Sequence, residues 1–286
     1  MARYPAVKPG LLDYLDLWLL RAAKLRRRPH DDDAGFYDSF FTEADVARYR
    51  GDVRNAWRYG RLRAIYRSLF DDRRARVADI GCGLGMAVLY LPADAEYVGV
   101  EFAPATLATA RRLHGGRPGT EFRQGGFPDL PLPDASVDLA ICTEVIEHIA
   151  DDTAAITDLY RILAPGGHLL LTVPSTYYWP DYERLIGHYR HYTGPALAER
   201  LAAHGFRVVR RLPQHNAFWR RYHYRFVLLR AVEALLRAIV RRDFSIYDTA
   251  FYRAHARRVL DELASRDADD DPASTFVLAC RPAVGR

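Results

Sequence analysis

Cysteine is scarce in this sequence of 286 residues, and the few positions exclude two common uses of the residue. Cys82, Cys142 and Cys280 are an odd number, and no pair has the C-x-x-C spacing. Such a set gives neither a disulfide framework nor a cysteine zinc site. It is typical of a protein kept in a reducing compartment, so we expect a cytoplasmic protein.

Long apolar runs are also missing. The first ten residues, MARYPAVKPG, lack the apolar core of a signal peptide. No segment reaches the roughly 18 uncharged apolar residues that a membrane-spanning helix needs. We therefore expect no membrane span. Peripheral contact with the inner face of the membrane is an open alternative, because LWLLRAAKLRRR combines apolar and basic residues.

Lysine is nearly absent, since Lys8 and Lys24 are the only two and arginine supplies the other basic charge. The net charge is +5, and both signs are mixed along most of the chain. The basic residues do not form a patch interleaved with aromatic residues, which is the pattern of a nucleic-acid interface. We therefore expect no nucleic-acid partner, and read the arginine bias as the composition of a bacterial genome.

Apolar residues make up 49% of the sequence, which is enough to bury a core, and their pattern divides the chain in two. Residues 11–27 have the periodicity of an amphipathic helix, and residues 42–70 predict one or two further helices. We predict an N-terminal helical cap over residues 1–70. A second domain over residues 71–286 would contain a helical insertion at 214–266.

From residue 76 onward, short apolar runs alternate with helical patterns. This alternation predicts βα units and a mostly parallel sheet. The predicted strands are RVADI, YVGVE, TEFRQ, VDLAICT, HLLLTV, FRVVR and TFVLAC, and helices are predicted at 84–91, 104–114, 152–163 and 195–204.

The run VADIGCGLG at residues 77–85 combines a strand end with a glycine turn. Glycines permit a tight turn and close approach of a ligand, and the following helix N-terminus offers N–H groups. Glu101 ends the next predicted strand, where a carboxylate can accept hydrogen bonds from both ribose hydroxyls. The spacing indicates a nucleoside-containing cofactor, and a tight turn without any ligand is the alternative.

Four stretches in order resemble the class I S-adenosylmethionine-dependent methyltransferases, and in particular their small-molecule O-methyltransferase-like group. They are VADIGCGLG, YVGVE, FRQGGFPDLPLPDASVDLAICTEVIEHI and RILAPGGHLLLTVPS. The resemblance implies an α/β fold with a Rossmann-like, seven-stranded, mostly parallel sheet, and helical additions at the N-terminus and between strands six and seven. It also implies the cofactor S-adenosylmethionine, with S-adenosylhomocysteine as product. NAD binding, a competing interpretation of the glycine turn, does not account for the later stretches.

The resemblance implies roles for single residues in cofactor binding. Asp79 and the glycines would surround the methionine part, and Glu101 would hold the ribose. An acidic residue often follows the third strand in this group, but Gly126 stands here, so the Phe127 N–H is expected to reach the adenine. The predicted cofactor-binding residues are Asp79, Gly81, Cys82, Gly83, Gly85, Glu101, Phe102, Gly126, Phe127, Thr143 and Tyr37.

The stretch TEVIEHI places Glu144, Glu147 and His148 after the fourth predicted strand. Methyl transfer mainly requires alignment of the reactants, and a hydroxyl acceptor must also lose its proton. A histidine with a near-neutral pKa suits that transfer, so His148 is the predicted base and Glu144 a second catalytic candidate. Two alternatives are open: His148 packs behind the loop, or the trio binds a divalent ion, although no metal is predicted.

An aromatic segment, TVPSTYYWPDYERLIGHYRHYTGPAL, follows the fifth predicted strand. Ligands of such sheets bind beyond the carboxyl ends of the strands, so the segment is expected over the acceptor pocket. His188 and His191 are further candidates for the base, and Arg190 for an anion clamp; alternatively, Arg190 and one histidine tie the loop to the sheet. The predicted substrate-binding residues are Tyr177, Tyr178, Trp179, Tyr182, Arg190 and Tyr192.

The expected reaction is O-methylation of a small-molecule acceptor, such as a sugar, polyketide, quinone-like or lipid-linked compound. N- or C-methylation, RNA methylation and a non-enzymatic scaffold are the alternatives. Residues 222–242 have one narrow polar stripe on an otherwise apolar helical pattern, so they are expected to pack in the core or in a homodimer. Candidates for contact with the cofactor carboxylate or an anionic acceptor are Arg54, Arg58, Arg61 and Arg63.

Overall fold

The structure, a computed structural model, describes most of the chain beyond residue 50. The described ranges are 33–40, 51–174, 186–214, 246–264 and 274–283, with single residues and short pieces between 11 and 49 and between 218 and 236. The predicted helix at 11–27 and the predicted start of a helix at Thr42 lie almost entirely outside the described residues.

One seven-stranded sheet forms the centre of the fold, as predicted. Its strand order is β3-β2-β1-β4-β5-β7-β6. β7 runs antiparallel to both neighbours, and the other described pairings are parallel. The strands are β1 (Arg76–Ile80), β2 (Glu96–Glu101), β3 (Thr120–Gln124), β4 (Val137–Thr143), β5 (Leu163–Thr172), β6 (Arg207–Arg211) and β7 (Phe276–Cys280).

Helices connect and cover the strands. The described α-helices are α1 (Asp33–Phe40), α2 (Val53–Phe70), α3 (Pro104–His114), α4 (Asp152–Ile162), α5 (Gly194–Ala203) and α6 (Ala250–Ala264). α2 begins where the Asp52 carboxylate accepts hydrogen bonds from the N–H groups of Arg54 and Asn55, which satisfies the free donors of a helix start. The domain boundaries at residues 70 and 71 stay predictions.

The α-helix predicted over 84–91 is wrong, because a short 3₁₀ helix over Met86–Tyr90 takes its place. Gly85 has φ of 70°, so the helical backbone cannot begin before Met86. Leu91 is extended, with ψ of 153°, as expected for a residue that precedes proline. Only five residues are left between these two limits, and short helical connections of this kind are often 3₁₀.

The core lies on both faces of the sheet. Ala78 and Ile80 of β1 pack in one apolar cluster with Leu159 of α4, while Val77 packs in a second cluster with Leu62 of α2. Alternate residues of a strand point to opposite faces, so a central strand covered by helices on both sides is apolar throughout. The carboxyl ends of β1, β2, β4 and β5 consequently meet at one edge, where the loops carry the polar residues.

Within the described residues, no helix is long and apolar enough to cross a membrane. The predicted insertion at 214–266 is described in part, and its described C-terminal portion contains the 3₁₀ helix Ile246–Asp248 and α6. Val259 and Leu263 of α6 pack with Val53 at the start of α2. The insertion is thereby attached to the helices that precede the first strand.

Candidate cofactor and acceptor site

The turn after β1 has a backbone that glycine adopts easily. Gly81, Gly83 and Gly85 have φ of 68°, 52° and 70°, values that cost a residue with a Cβ about 1–2 kcal/mol. Space is also limiting at the first position, because a Cβ on Gly81 would lie 2.5 Å from Val145 Cγ2. The turns after β1 and β4 therefore approach each other closely.

Glu101 connects this turn to α3. One carboxylate oxygen accepts a hydrogen bond from the Gly83 N–H at 2.8 Å, and the other accepts from the Ala103 N–H at 2.9 Å. The side chain is buried, and burial raises the pKa of Glu101 while its backbone donors oppose that shift. A carboxylate held by backbone donors at the end of β2 is well placed to accept hydrogen bonds from the hydroxyls of a ribose.

Asp79 is the second buried carboxyl group at this edge. The Tyr97 hydroxyl donates to its Oδ2 at 2.8 Å. Burial raises the pKa of Asp79 to about 7 against the effect of that hydrogen bond, and the nearby charge of Glu101 adds to the rise. The ionised form is therefore costly unless a positive group comes close, and the cofactor predicted for this site contains an ammonium group.

The residues predicted around the adenine lie on neighbouring loops. Phe102 is 44% exposed, and a Cβ on Gly126 would lie 3.4 Å from its Cβ, so these two positions are adjacent. Phe127 is partly buried against the core, and Cys82 is buried at the glycine turn. Their contact with a cofactor stays a prediction.

Glu144 follows β4 in a left-handed conformation, with φ of 56°. Its Oε1 accepts a hydrogen bond from the Thr172 hydroxyl at 2.9 Å and lies 3.7 Å from the Arg58 guanidinium. Thr172 is also the β5 partner of Thr143, the last residue of β4. Of the four arginines considered before β1, Arg58 is thus the one that the structure brings to the site through this ion pair.

Three histidines, His148, His188 and His191, form a group that we call the histidine cluster. The rings of His148 and His188 are 4.5 Å apart between centroids, in an edge-to-face arrangement. His188 Nδ1 lies 2.9 Å from His191 Nε2, within hydrogen-bond distance. The three histidines predicted as competing bases are therefore neighbours in one contiguous group.

Arg190 and Tyr192 bind the buried Asp152 at the start of α4. The Tyr192 hydroxyl donates to Asp152 Oδ2 at 2.6 Å, and Arg190 Nη1 lies 3.0 Å from Asp152 Oδ1. Burial alone would raise the pKa of Asp152, but Tyr192, Arg190 and Arg200 outweigh it and hold the pKa below its usual value. These contacts tie the loop to the start of α4, whereas the alternative considered for Arg190 was a tie to the sheet. The acceptor contacts of Arg190 and Tyr192 stay predictions.

Helix α1 carries two residues to the same edge. Tyr37, predicted to touch the cofactor, packs edge-on against His148 with 5.5 Å between ring centroids. Asp38, which the sequence analysis missed, accepts hydrogen bonds from the N–H groups of Ala105 and Thr106 at 2.9 Å each. These partners lie 67 and 68 residues away in the chain, so no local pattern signals them.

Four aromatic residues of the predicted acceptor pocket lie outside the described residues. They are Tyr177, Tyr178, Trp179 and Tyr182.

The sequence is similar to known methyltransferases over the region that contains this site. Residues 78–171 match the family of methyltransferase domains. A protein of Mycolicibacterium smegmatis named as a probable S-adenosylmethionine-dependent methyltransferase is 32% identical over 159 residues, which covers 54% of this chain and 60% of the relative. The demethylmenaquinone methyltransferase of Beutenbergia cavernae is 29% identical over 172 residues, or 58% of this chain and 68% of the relative. The first of these matches thus spans less than two thirds of its relative.

A solved structure supports the fold. The crystal structure of the (4+2)-cyclase SpnF superposes with a TM-score of 0.54 and 19% identity, and the match covers 99% of this chain and all of that chain. At this identity the likeness concerns the fold alone. The strand order, the glycine turn and Glu101 define a Rossmann-like fold of the class I methyltransferases. The stretch within this fold that is similar to a methyltransferase domain is residues 78–171.

Proposed function

We propose that this chain is a methyltransferase that transfers the methyl group of S-adenosylmethionine to a hydroxyl of a small, apolar acceptor. The observation that supports cofactor binding best is the Glu101 carboxylate, held by the N–H groups of Gly83 and Ala103 beside the glycine turn. The methyltransferase domain match over residues 78–171 covers this region. Asp79, with its raised pKa, supplies a carboxyl group that the ammonium of the cofactor would stabilise in the ionised form.

The reaction requires two events at the acceptor oxygen. A lone pair of the oxygen attacks the methyl carbon, the C–O bond forms as the C–S bond breaks, and the sulfonium becomes a neutral thioether. The acceptor hydroxyl loses its proton to a base. Histidines suit this transfer near neutral pH, and the histidine cluster follows β4 and β5 at the edge where ligands of such sheets bind.

A quinone-like or other ring-containing acceptor fits the composition of the site. The segment between β5 and the histidine cluster is rich in tyrosine and tryptophan, and apolar and aromatic side chains usually line small-molecule pockets. The relative from Beutenbergia cavernae is named for methylation of demethylmenaquinone. Both observations favour an apolar ring over a sugar as the acceptor.

A contact surface on residues 222–242 is a further part of the proposal. Leu228, Val232 and Leu235 are each 49–60% exposed in the described parts of this segment. Exposed apolar side chains grouped along a helix support contact with a second copy of the chain or with a membrane surface. Nucleic acid is not among the proposed partners.

Glu101→Ala tests the cofactor site. We expect S-adenosylhomocysteine to bind the wild-type chain and to bind this variant about 5–150-fold more weakly, because an unpaired buried donor costs about 1–3 kcal/mol. Titration calorimetry measures both affinities. The control is Glu121→Ala on the neighbouring strand β3, where the exposed carboxylate pairs with Arg123 and has no part in the site. Equal affinities for the wild type and Glu101→Ala would show that the ribose is misplaced.

Transfer of a radiolabelled methyl group to hydroquinones, sugars and amines then tests the reaction. We expect label on hydroquinone hydroxyls. Label on amines alone would replace the proposal by N-methylation. Absence of cofactor binding would leave a non-enzymatic scaffold.

A further inference from the structure

A carboxylate and two imidazoles converge next to the turn after β4. Glu147, His148 and His188 each offer one ligand atom, and these three atoms lie within 4.8 Å of one another. The Glu147 side chain is completely buried, and that of His148 is 17% exposed. A carboxylate oxygen and imidazole nitrogens are ligands that divalent transition metals commonly take in proteins. The group therefore has the ligand types and the close spacing that a metal site requires.

The backbone holds these residues together from two separate loops. The 3₁₀ turn Ile146–His148 places Glu147 and His148 side by side. The loop that carries His188 is attached to this turn, because the Tyr189 N–H donates to the Glu147 carbonyl at 2.8 Å. His148 Nδ1 lies 3.2 Å from the Gly187 carbonyl. Hydrogen bonds between the two loops thus fix the relative positions of Glu147, His148 and His188.

The hydrogen bonds of the histidines suit metal ligation. A carbonyl only accepts, so His148 Nδ1 must carry the proton, and its Nε2 presents a lone pair 4.0 Å from Glu147 Oε1. When His188 donates from Nδ1 to His191 Nε2, its own Nε2 is likewise unprotonated. Metal-binding histidines commonly donate their second ring N–H to a neighbouring acceptor in this way. His191 and the Gly187 carbonyl would be those acceptors.

We propose that Glu147, His148 and His188 bind a first-row divalent transition-metal cation, with Zn²⁺ as the reference ion. Two imidazoles and one carboxylate form a known ligand set for Zn²⁺ and Fe²⁺ that leaves at least one position open. Bonds of about 2.0 Å bring tetrahedral ligand atoms to about 3.3 Å from one another, so the His188 ring would move inward. Glu144 is not a ligand here, because Thr172 and Arg58 hold its carboxylate.

The open position would bind the oxygen of the acceptor. A hydroxyl on the cation loses its proton to solvent at a lower pH than a free hydroxyl. His148 would then act as a ligand, and the cation would perform the proton-releasing role predicted for that histidine. This catalytic role rests on the proposed methyl transfer, whereas binding of the cation does not.

Co²⁺, which takes the place of Zn²⁺ and absorbs visible light, is the probe for the site. We expect chelator-stripped, tag-free wild-type protein to bind one equivalent with a visible absorption band. His188→Ala and Glu147→Gln should each lower the Co²⁺ affinity by at least about 100-fold, and His191→Ala by about 10–100-fold as an outer partner. His204→Ala is the matched control, because that histidine binds the Arg200 carbonyl on α5. The His204→Ala variant should bind Co²⁺ with the affinity of the wild type.

Two results would overturn the metal site. One is wild-type protein that binds no Co²⁺ or Zn²⁺, and the other is Co²⁺ bound equally well by wild type, His188→Ala and Glu147→Gln. Circular dichroism identifies any variant that fails to fold; if Glu147→Gln does not fold, the result for His188→Ala decides, because His188 is less buried than Glu147. S-adenosylhomocysteine affinity, measured on the same samples, separates the two proposals: metal binding without cofactor binding would refute only the methyltransferase function, and the reverse only the metal site.

Discussion

Asp79 is a residue on which stability and cofactor binding place opposite demands. Its carboxyl group is buried, 4% exposed, and its pKa is raised to about 7, chiefly by burial. A raised carboxyl pKa means that the folded chain holds this proton more tightly than the unfolded chain does. The neutral form of Asp79 therefore contributes fully to the free energy of unfolding below about pH 4, and this contribution is lost as the pH rises through the folded-state pKa of about 7. A cationic ligand needs the opposite, ionised form.

Asp79→Asn should therefore raise the stability of the ligand-free protein at pH 8 and weaken its binding of S-adenosylmethionine. The neutral amide keeps an oxygen for the Tyr97 hydroxyl and removes the buried charge, a gain on the order of 4 kcal/mol for a shift of roughly three pKa units at about 1.4 kcal/mol per unit. Urea unfolding at pH 5, 7 and 8.5 measures the free energy of unfolding of both proteins. The difference between Asp79→Asn and the wild type should shrink toward low pH.

The matched control for this prediction is Asp138→Asn. The Arg76 guanidinium, by hydrogen bonding, holds the pKa of Asp138 below its usual value, so its charged form stabilises the fold above the unfolded pKa. Asp138→Asn should lower stability at pH 7, and this effect should shrink as the pH falls below about 4. If Asp79→Asn were destabilising at every pH, the ionised carboxylate would not be costly in the folded chain, contrary to its raised pKa.

At the scale of elements, α1 supplies a helix cap that α3 lacks. Ala103 stands at the N-cap of α3 without a side-chain hydrogen bond. Asp38 Oδ1 accepts from the N–H groups of Ala105 and Thr106 and from the Thr106 hydroxyl at 3.3 Å. The same helix packs Tyr37 against His148. α1 thus joins the start of α3, beside Glu101, to the histidine cluster.

Asp38→Ala should destabilise the chain by about 1 kcal/mol, the usual loss on removal of a cap. S-adenosylhomocysteine should bind about fivefold more weakly, since the energy that holds α1 in place is lost. Thermal unfolding and calorimetry measure the two effects. Asp38→Asn keeps a hydrogen-bond acceptor and should retain most of the stability and most of the affinity for S-adenosylhomocysteine. Asp52→Ala, which removes the cap of α2, should lower stability alone; an equal loss of affinity in that variant would reduce the role of Asp38 to general stability.

The elements themselves follow largely from the sequence. Strands such as TEFRQ and VDLAICT, and the helix at 104–114, have the predicted bounds, because apolar periodicity and flanking turn residues are local signals. The helix at 84–91 was mispredicted, since its shape depends on the φ of Gly85 and on Pro92. Contacts such as Asp38 with Thr106 and Arg190 with Asp152 join residues 68 and 38 positions apart, and only the folded chain defines them.

At the scale of the whole molecule, the site joins parts of the sheet that separate on unfolding. Asp79, Glu101, Glu144 and Thr172 stand at the ends of four different strands. Glu101 already joins two of the connections through its hydrogen bonds to Gly83 and Ala103. A cofactor that binds across these strand ends would bind the folded chain and not the unfolded chain. Its binding and the global stability of the chain are therefore thermodynamically linked.

Saturation with S-adenosylhomocysteine should consequently raise the melting temperature of the whole chain. At a ligand concentration about 100-fold above the dissociation constant, the linkage contributes about 2.7 kcal/mol, which corresponds to a shift of roughly 5 °C or more for a chain of this size. Differential scanning calorimetry measures the shift. Glu101→Ala at the same ligand concentration should shift about one tenth to two thirds as far, as 5–150-fold weaker binding requires, and Glu121→Ala should shift as far as the wild type. A wild-type melting temperature unaffected by the ligand would mean that the strand ends do not bind it, whatever the fold resembles.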